Sequence, residues 1–138
     1  MKYTSTRNNS KEYKFDEVFI KGLADDGGLY VPKSISKFTS KELSELRNLN
    51  YQDLSTKILN QFTSDFISKD ELSSLISKSY STFREKEVVK ISSIGKLQLL
   101  ELFHGPTLAF KDIAMQFIGN LYEYYLSKND KKINIVVA

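Results

Sequence analysis

The stretch on which the fold and the chemistry of this chain depend is LELFHGPTLAFKD, residues 100–112. Residues 96–103 alternate imperfectly between polar and apolar side chains, which is typical of a β-strand. The Gly105-Pro106 pair ends it, because proline has no backbone N–H to donate. Apolar residues then recur at helical spacing: Phe110, Ile113, Ala114, Phe117, Ile118, Leu121, Tyr124 and Tyr125. This pattern predicts a strand, a turn and a helix, with Thr107 as the candidate N-cap of the helix.

Lys111 is the residue of this stretch best suited to chemistry, because it lies at or near the start of the predicted helix. The helix macrodipole disfavours a cation in the first turn by about 0.3–1 kcal/mol. The apolar neighbours Ala109 and Phe110 would remove water from the amine, which also disfavours its charged form. A nucleophilic or Schiff-base lysine requires a neutral amine. Asp112 would either pair with the charge or hold a group on a bound cofactor, and spacing alone also allows an ordinary solvated lysine.

The C-terminal segment INIVVA, residues 133–138, is typical of an apolar strand inside a parallel sheet. With the preceding strand and helix it predicts one strand–helix–strand unit. Such a unit leaves its sheet edges unprotected, so we expect a truncated domain that further polypeptide completes. We also expect exposed apolar surface along this strand and on the helix face of Phe117 and Leu121, with dimerisation through the edge strand as one way to cover it.

The N-terminal region is organised around a turn. Residues 1–13 are polar and typical of an extended arm or an edge strand, and a helix is predicted to begin near Asp16. The sequence DDGG at residues 25–28 follows that helix and strongly favours a turn, since glycine reaches positive φ at little cost. Far along the chain, residues 88–91 predict a strand and residues 92–95 a turn.

Three further helices are predicted between these segments. Ser40 and Asn50 are the candidate caps of the first two. Ser68 and Glu71 have the spacing of a capping box in front of an amphipathic stripe that begins at Leu72. These stripes indicate core packing, so the region before residue 87 is predicted to be mainly helical.

The composition excludes several classes of function. The chain has 138 residues, 20 Lys and Arg against 17 Asp and Glu, and a net charge of +3, which gives little reason to expect nucleic acid as a partner. It has no cysteine, and His104 is its single histidine, so disulfides, thiolate chemistry and a histidine-based metal site are not expected. No apolar run is long enough for a membrane span, and the first residues lack the apolar region of a signal peptide. We therefore expect a cytoplasmic protein without metal.

The segment at residues 100–112 closely resembles the lysine motif of the threonine synthase family. These are pyridoxal-phosphate enzymes of the fold shared with the tryptophan synthase β-subunit. A second, distant match supports the resemblance: residues 3–7, 15–18 and 22–32 look like the N-terminal signature of the same family. The two matches occur in the family's order along the chain.

The resemblance implies a fold and a reaction. The fold class would be α/β, α+β in this stretch, with residues 1–86 as the family's N-terminal domain. Residues 87–138 would be the truncated start of a fold type II pyridoxal-phosphate catalytic domain. The activity would be that of a carbon–oxygen lyase that converts O-phospho-L-homoserine and water to L-threonine and phosphate in threonine biosynthesis, with pyridoxal 5'-phosphate as the cofactor.

The resemblance also implies roles for particular residues. Lys111 would form the Schiff base with the cofactor and, once released, move protons along the substrate carbons. Phe110 and Asp112 would lie beside the cofactor. The residues expected to contact substrate are Ser5, Thr6, Arg7, His104 and Thr107. Arg7 suits a phosphate or carboxylate, although a structural ion pair explains it equally well, and His104 alone also fits a turn or core histidine.

Parts of the family's site are not among these residues. The glycine-rich loops that hold the substrate carboxylate and the cofactor phosphate are absent from the sequence, so the chain alone is expected to be inactive and to need the remainder of its own catalytic domain. Two alternatives stay open. One is a related pyridoxal-phosphate phospholyase or dehydratase of the same fold. The other is a non-catalytic module that binds a partner protein through its edge strand, for which Lys111 would have no purpose.

Overall fold

The structure, a computed structural model, describes residues 1–134 as an α+β arrangement of five helices and two antiparallel strand pairs. The chain divides into two units, Met1–Ser73 and Ser74–Ala138. The elements in chain order are β1 (Tyr3–Ser5), α1 (Phe15–Lys21), β2 (Tyr30–Pro32), α2 (Ser40–Leu46), α3 (Tyr51–Thr63), α4 (Lys69–Tyr80), β3 (Lys90–Ile94), β4 (Leu97–Glu101) and α5 (Asp112–Asn129). The predicted α+β class is confirmed, whereas the domain boundary at residues 86 and 87 stays a prediction.

The first unit is built on the predicted N-terminal arm. β1 pairs with β2 in antiparallel register, with Thr4 opposite Val31. Tyr3 also exchanges two backbone hydrogen bonds with Tyr13, of 3.0 and 2.9 Å. The Tyr3 side chain is buried, and its hydroxyl donates to the carbonyl oxygen of Phe62 at 3.1 Å. The arm is therefore held both by strand pairing and by an anchor on α3.

The predicted helix caps are mostly confirmed. Asn50 accepts the backbone N–H of Asp53 at 2.9 Å, as expected for an N-cap. Ser68 and Glu71 form the predicted capping box, with each side chain bonded to the other residue's N–H. The prediction of Ser40 as a cap is wrong by one residue, because Thr39 forms the cap of α2 and Ser40 already lies in the helix.

The second unit contains a β-hairpin whose position differs from the prediction. β3 and β4 pair with Ile94 opposite Leu97, and Gly95 takes a φ of +62° at the first loop position, where a two-residue hairpin loop needs a positive φ. The predicted turn at residues 92–95 is therefore mostly strand. The predicted strand start at Val88 is also wrong, because Val88 takes a φ of +63° and is buried with 1% of its surface exposed.

α5 supplies much of the core of the second unit. Phe117, Leu121 and Tyr125 are buried, so the predicted exposed face at Phe117 and Leu121 is wrong. The α4 residue Tyr80 donates its hydroxyl to the carbonyl oxygen of Ile113 at 2.9 Å, and side chains further along the two helices also bond to each other. Hydrogen bonds to the end of α4 thus hold α5, whose apolar stripe is buried in the structure.

The C-terminal strand predicted at residues 133–138 is not tested by the structure. Residues 133 and 134 have no regular secondary structure, and residues 135–138 lie outside the described residues. Among residues 1–134, no helix combines the length and apolar character needed to cross a membrane.

Candidate functional site

The loop between β4 and α5 contains the predicted reactive stretch and is tightly folded. Its first turn is closed by the Leu108 N–H, which donates to the carbonyl oxygen of Gly105 at 3.2 Å. Leu108 takes a φ of +62°, a left-handed conformation that costs a non-glycine residue about 1–2 kcal/mol. Its side chain is exposed, so burial of that side chain does not offset the cost. Other contacts of the loop must hold this conformation.

Asp112 provides such contacts. One carboxylate oxygen, Oδ2, accepts both the backbone N–H of Thr107 at 2.8 Å and its hydroxyl at 2.9 Å. The other oxygen accepts the side-chain amide of Gln116 at 3.3 Å. The prediction of Thr107 as the helix N-cap is therefore wrong: α5 begins at Asp112 with Lys111 at the N-cap position, and Thr107 donates to the helix where an N-cap would accept.

The electrostatics of Asp112 favour its charged form. Its side chain is buried, with 3% of the residue exposed, and burial by itself raises the pKa of a carboxyl group. The hydrogen bonds from Thr107 and Gln116 act in the opposite direction, and together they lower the pKa of Asp112 below its ordinary value. Asp112 is thus an ionised acceptor inside the loop.

Gly105 makes the close packing of the loop against Asp112 possible. A Cβ atom on Gly105 would lie 2.4 Å from the Cβ of Asp112 and 2.5 Å from its Oδ2. Real Cβ atoms do not approach other heavy atoms so closely, so a side chain here would displace the loop or Asp112. The glycine of the predicted strand-breaking pair is therefore needed for space.

Lys111 combines a fixed backbone with an exposed side chain. Its carbonyl oxygen accepts the N–H groups of Ala114 and Met115 at 3.1 and 2.8 Å, which fastens the residue to the first turn of α5. Its amine has no hydrogen-bond or ion-pair partner within residues 1–134. The desolvation expected from Ala109 and Phe110 is not provided by the described residues, since Lys111 is exposed.

An apolar groove of about 530 Å³ lies beside Lys111. Its lining consists of Lys111 and five apolar residues: Leu102, Phe110, Ile113, Ala114 and Met115. Phe110 and Met115 are 65% and 57% exposed, so this apolar surface is open. A free amine at the edge of an apolar groove fits a cofactor that carries an aldehyde on a flat aromatic ring.

His104 is held by a carboxylate that the sequence reasoning missed. The Nε2 of His104 lies 2.7 Å from Glu101, and the hydroxyl of Ser92 bonds to the other oxygen of the same carboxylate. The Ser92 hydroxyl first and His104 second lower the pKa of Glu101. The spacing of Glu101 and His104, three residues apart at the end of a strand, was the available signal. His104 is therefore an oriented imidazole.

The other predicted substrate residues lie in the first unit, around the DDGG turn. Ser5 donates its hydroxyl to Asp26 at 2.8 Å, and the Thr6 hydroxyl accepts the backbone N–H of Leu29 at 3.0 Å. Arg7 donates from Nη1 to the carbonyl oxygen of Asp26 at 3.2 Å, so its partner in the structure is a backbone group. These three side chains are thus engaged within their own unit, and a role in substrate binding stays a prediction.

The sequence of this chain is similar to a protein-family model and to known proteins. A family model described as "Threonine synthase N terminus" matches residues 2–80, more than half of the chain. Threonine synthase of Schizosaccharomyces pombe is 41% identical over 130 residues, covering 93% of this chain and 25% of that protein. Threonine synthase of Eremothecium gossypii is 43% identical, covering 96% of this chain and 27% of that protein.

A solved structure is also similar. The crystal structure of pyridoxal-phosphate-bound threonine synthase from Brucella melitensis has a TM-score of 0.90 and 36% identity to this chain. The match covers 96% of this chain and 29% of the crystallised one. The chain thus spans between a quarter and a third of the length of the relatives that it matches here.

Proposed function

This chain belongs to the threonine synthase family, and on that premise we propose that Lys111 is the cofactor-bearing lysine of a pyridoxal-phosphate-dependent lyase. The proposed reaction converts O-phospho-L-homoserine and water to L-threonine and phosphate, the last step of threonine biosynthesis. The observation that carries the proposal is the amine of Lys111, unpartnered within the described residues and standing beside an apolar groove. The similarity to a pyridoxal-phosphate-bound threonine synthase supports it.

The residues of this chain suit two tasks around the cofactor. Lys111 would hold the cofactor at Nζ and, after substrate displaces it, hold and transfer a proton with the same atom. Once the remainder of the catalytic domain covers them, the apolar side chains of Leu102, Phe110 and Met115 would exclude water on one side of that amine. When bound, pyridoxal phosphate supplies an electron sink that stabilises negative charge on the substrate carbons.

We propose substrate contacts for the oriented imidazole of His104 and, from the resemblance, for Thr107, Ser5, Thr6 and Arg7. His104 is the best supported of these, because the Glu101 carboxylate orients its ring. An imidazole held in this way can donate to a phosphate oxygen or transfer a proton.

We propose that the catalytic domain begins near residue 87. The proposed partner of the second unit is the remainder of that domain. The hairpin supports this proposal, since it exposes a set of apolar side chains: Ile91, Ile94, Leu97, Leu99 and Leu100. Apolar residues clustered on a surface mark places where further polypeptide packs. A location in the cytoplasm is part of the same proposal and rests on the sequence.

Trapping of the cofactor tests the proposed function. The protein is expressed from its own gene, incubated with pyridoxal phosphate and reduced with borohydride, and the labelled peptide is identified by mass spectrometry. We expect the label on Lys111 and its loss in Lys111→Ala, whose kcat with O-phospho-L-homoserine should fall by about 10²–10⁴-fold.

Lys96→Ala is the matched control, because Lys96 is an exposed lysine in the hairpin loop. It should keep both the label and the activity. A label on another lysine, together with a Lys111→Ala protein that remains coloured and active, would contradict the assignment.

A further inference from the structure

We propose that Asp112 is a positioning residue: its carboxylate holds the loop Gly105–Lys111 in one conformation and thereby aims the amine of Lys111. This inference rests on the proposed function of Lys111. It differs from the role expected from sequence, in which Asp112 touches the cofactor itself. A carboxylate that binds the cofactor must be open to it, whereas a carboxylate that holds the loop must be bonded within the protein. The contacts of Asp112 favour the second role.

The carboxylate of Asp112 is turned inward and occupied. A carboxylate offers about four acceptor positions, and three of them here take the N–H and O–H of Thr107 and the amide of Gln116. Only 3% of the residue is exposed. The side chain of Lys111, one residue earlier, is exposed instead. The neighbouring side chains therefore face different surroundings.

The contacts of Asp112 reach both Thr107 and Gly105 in the loop Gly105–Lys111. Thr107 lies five residues before Asp112, so their two hydrogen bonds close a short ring of chain that contains Leu108 and Lys111. Gly105 packs on the Cβ of Asp112 from the other end of the loop. The loop is thus fixed to one side chain at two points, at Thr107 by hydrogen bonds and at Gly105 by packing.

The strained residue Leu108 inside this ring indicates that the ring holds the backbone in an unfavourable conformation. Leu108 keeps a φ of +62° although its side chain is exposed. Strained backbone persists only where surrounding contacts determine it, and it concentrates near functional groups. The Thr107–Asp112 bonds hold the residue directly before Leu108, and they act together with the hydrogen bond from the Leu108 N–H to the carbonyl oxygen of Gly105. Without the Thr107–Asp112 bonds the loop would relax, and the first turn of α5, to which Lys111 is fastened, would shift with it.

A small displacement of Lys111 has a large kinetic consequence, because a shift of about 1 Å in a reacting group can cost roughly 100-fold in rate. α5 itself would persist, since Phe117, Leu121 and Tyr125 anchor it in the core. The predicted signature is therefore a loss of kcat in a protein that still folds and still binds its cofactor.

The experiment uses the cofactor-loaded protein expressed from its own gene and compares Asp112→Asn, Thr107→Val and the double variant. Asp112→Asn should lower kcat by about 100-fold with KM unchanged. Thr107→Val should lower kcat by about 10-fold, whatever the effect on KM of its proposed contact with substrate. The double variant should be no slower than Asp112→Asn, since both changes break the same ring. Visible circular dichroism of the bound cofactor should weaken, while the absorbance maximum and its pH profile stay in place.

Glu123→Gln is the matched control, a carboxylate-to-amide change on the exposed side of the same helix, and it should leave all these readouts unchanged. A shift of the absorbance maximum or its pH profile in Asp112→Asn would show direct contact with the cofactor and overturn the inference. Multiplicative losses in the double variant, or a raised KM with normal kcat in Thr107→Val, would also overturn it.

The test also covers a variant that does not fold, and it separates this inference from the proposed function. If Asp112→Asn does not fold, Thr107→Val takes its place, because it keeps the carboxylate and the backbone bond. A normal kcat in Thr107→Val then overturns the inference, and a reduced kcat together with weaker visible circular dichroism of the bound cofactor supports it. Borohydride labelling of the unaltered protein separates the two hypotheses. No label on Lys111 refutes the proposed function, whereas a labelled Lys111 with a normal Asp112→Asn refutes this inference alone.

Discussion

Asp26 in the first unit and Asp112 in the second accept hydrogen bonds from the same kinds of group. Asp26 takes the Ser5 hydroxyl at 2.8 Å and the Gly28 N–H at 2.9 Å, and Asp112 takes the Thr107 hydroxyl and N–H at 2.9 and 2.8 Å. Each aspartate also lies against a glycine that leaves no room for a Cβ atom. The two sites thus use one local design.

They differ in the length of chain that they close. The Ser5–Asp26 bond joins residues 21 apart and ties the N-terminal arm to the DDGG turn, and Asp26 is exposed. The Thr107–Asp112 bonds join residues five apart around one loop, and Asp112 is buried. A tie between distant segments mainly stabilises a fold, whereas a tie within a loop mainly sets the geometry of the residues it encloses. The same design therefore serves stability in one unit and, by our inference, catalysis in the other.

The largest effect is expected from Gly105→Ala, with Gly28→Ala as its counterpart. A Cβ on Gly105 would lie 2.4 Å from that of Asp112, so the loop must move and kcat should fall by about 100-fold. A Cβ on Gly28 would lie 2.2 Å from the Ser5 hydroxyl, and overpacking of this kind costs about 1–3 kcal/mol of unfolding free energy. Kinetics and urea unfolding of both variants measure the contrast. A smaller loss of kcat in Gly105→Ala than in Gly28→Ala would break it.

A smaller effect is expected from Ser5→Ala. It removes a donor to Asp26 and the acceptor of the Arg7 N–H, and the loss of a hydrogen bond costs about 1 kcal/mol of stability. Combined with Gly28→Ala, it should cost less than the two single changes together, because the colliding hydroxyl is gone. A double-mutant cycle of urea unfolding checks this, and strict additivity would contradict the shared packing.

The pH dependence of stability sharpens the comparison further. Hydrogen bonds, first from the Ser5 hydroxyl and then from the Gly28 N–H, lower the pKa of Asp26 in the folded protein. Its stabilising contribution is therefore present above the pKa of the unfolded chain, about 3.9, and is lost as the pH falls through the lower folded value. Unfolding curves of the unaltered protein and of Asp26→Asn should differ at neutral pH and converge in acid. A difference that widens in acid would contradict this sign.

The smallest effect is expected at Glu123, a carboxylate that does not share the arrangement of Asp26 and Asp112. Glu123 pairs with Lys78 at 2.7 Å, but the two side chains are 66% and 58% exposed, and exposed pairs contribute little to stability. Glu123→Gln should leave the melting temperature unchanged within error, as measured by circular dichroism. A large fall in the melting temperature would show that an exposed carboxylate also stabilises the second unit. That result would contradict the comparison of Asp26 with Asp112.

The sequence predicted well where a pattern acts over a few neighbouring residues. The capping box of Ser68 and Glu71, the cap at Asn50 and the DDGG turn are confirmed, because each depends on bonds within three or four residues. The Thr107–Asp112 pair spans five residues, and the sequence suggested the reverse direction, with Thr107 as the acceptor. An aspartate at the first position of a helix is also favourable for the dipole alone, which hid its role in the loop.

The sequence by itself determined the family, the helical segments and the residue most suited to chemistry, since these follow from motifs and from spacing along the chain. Only the tertiary structure decided the boundaries of β3, the burial of Phe117 and Leu121 and the inward direction of Asp112. Val88 is buried with a positive φ before β3 begins, and α5 is bonded to the α4 residue Tyr80 from a distant part of the chain. Those outcomes depend on which side chains meet in space, and spacing along one chain does not encode such contacts between distant segments.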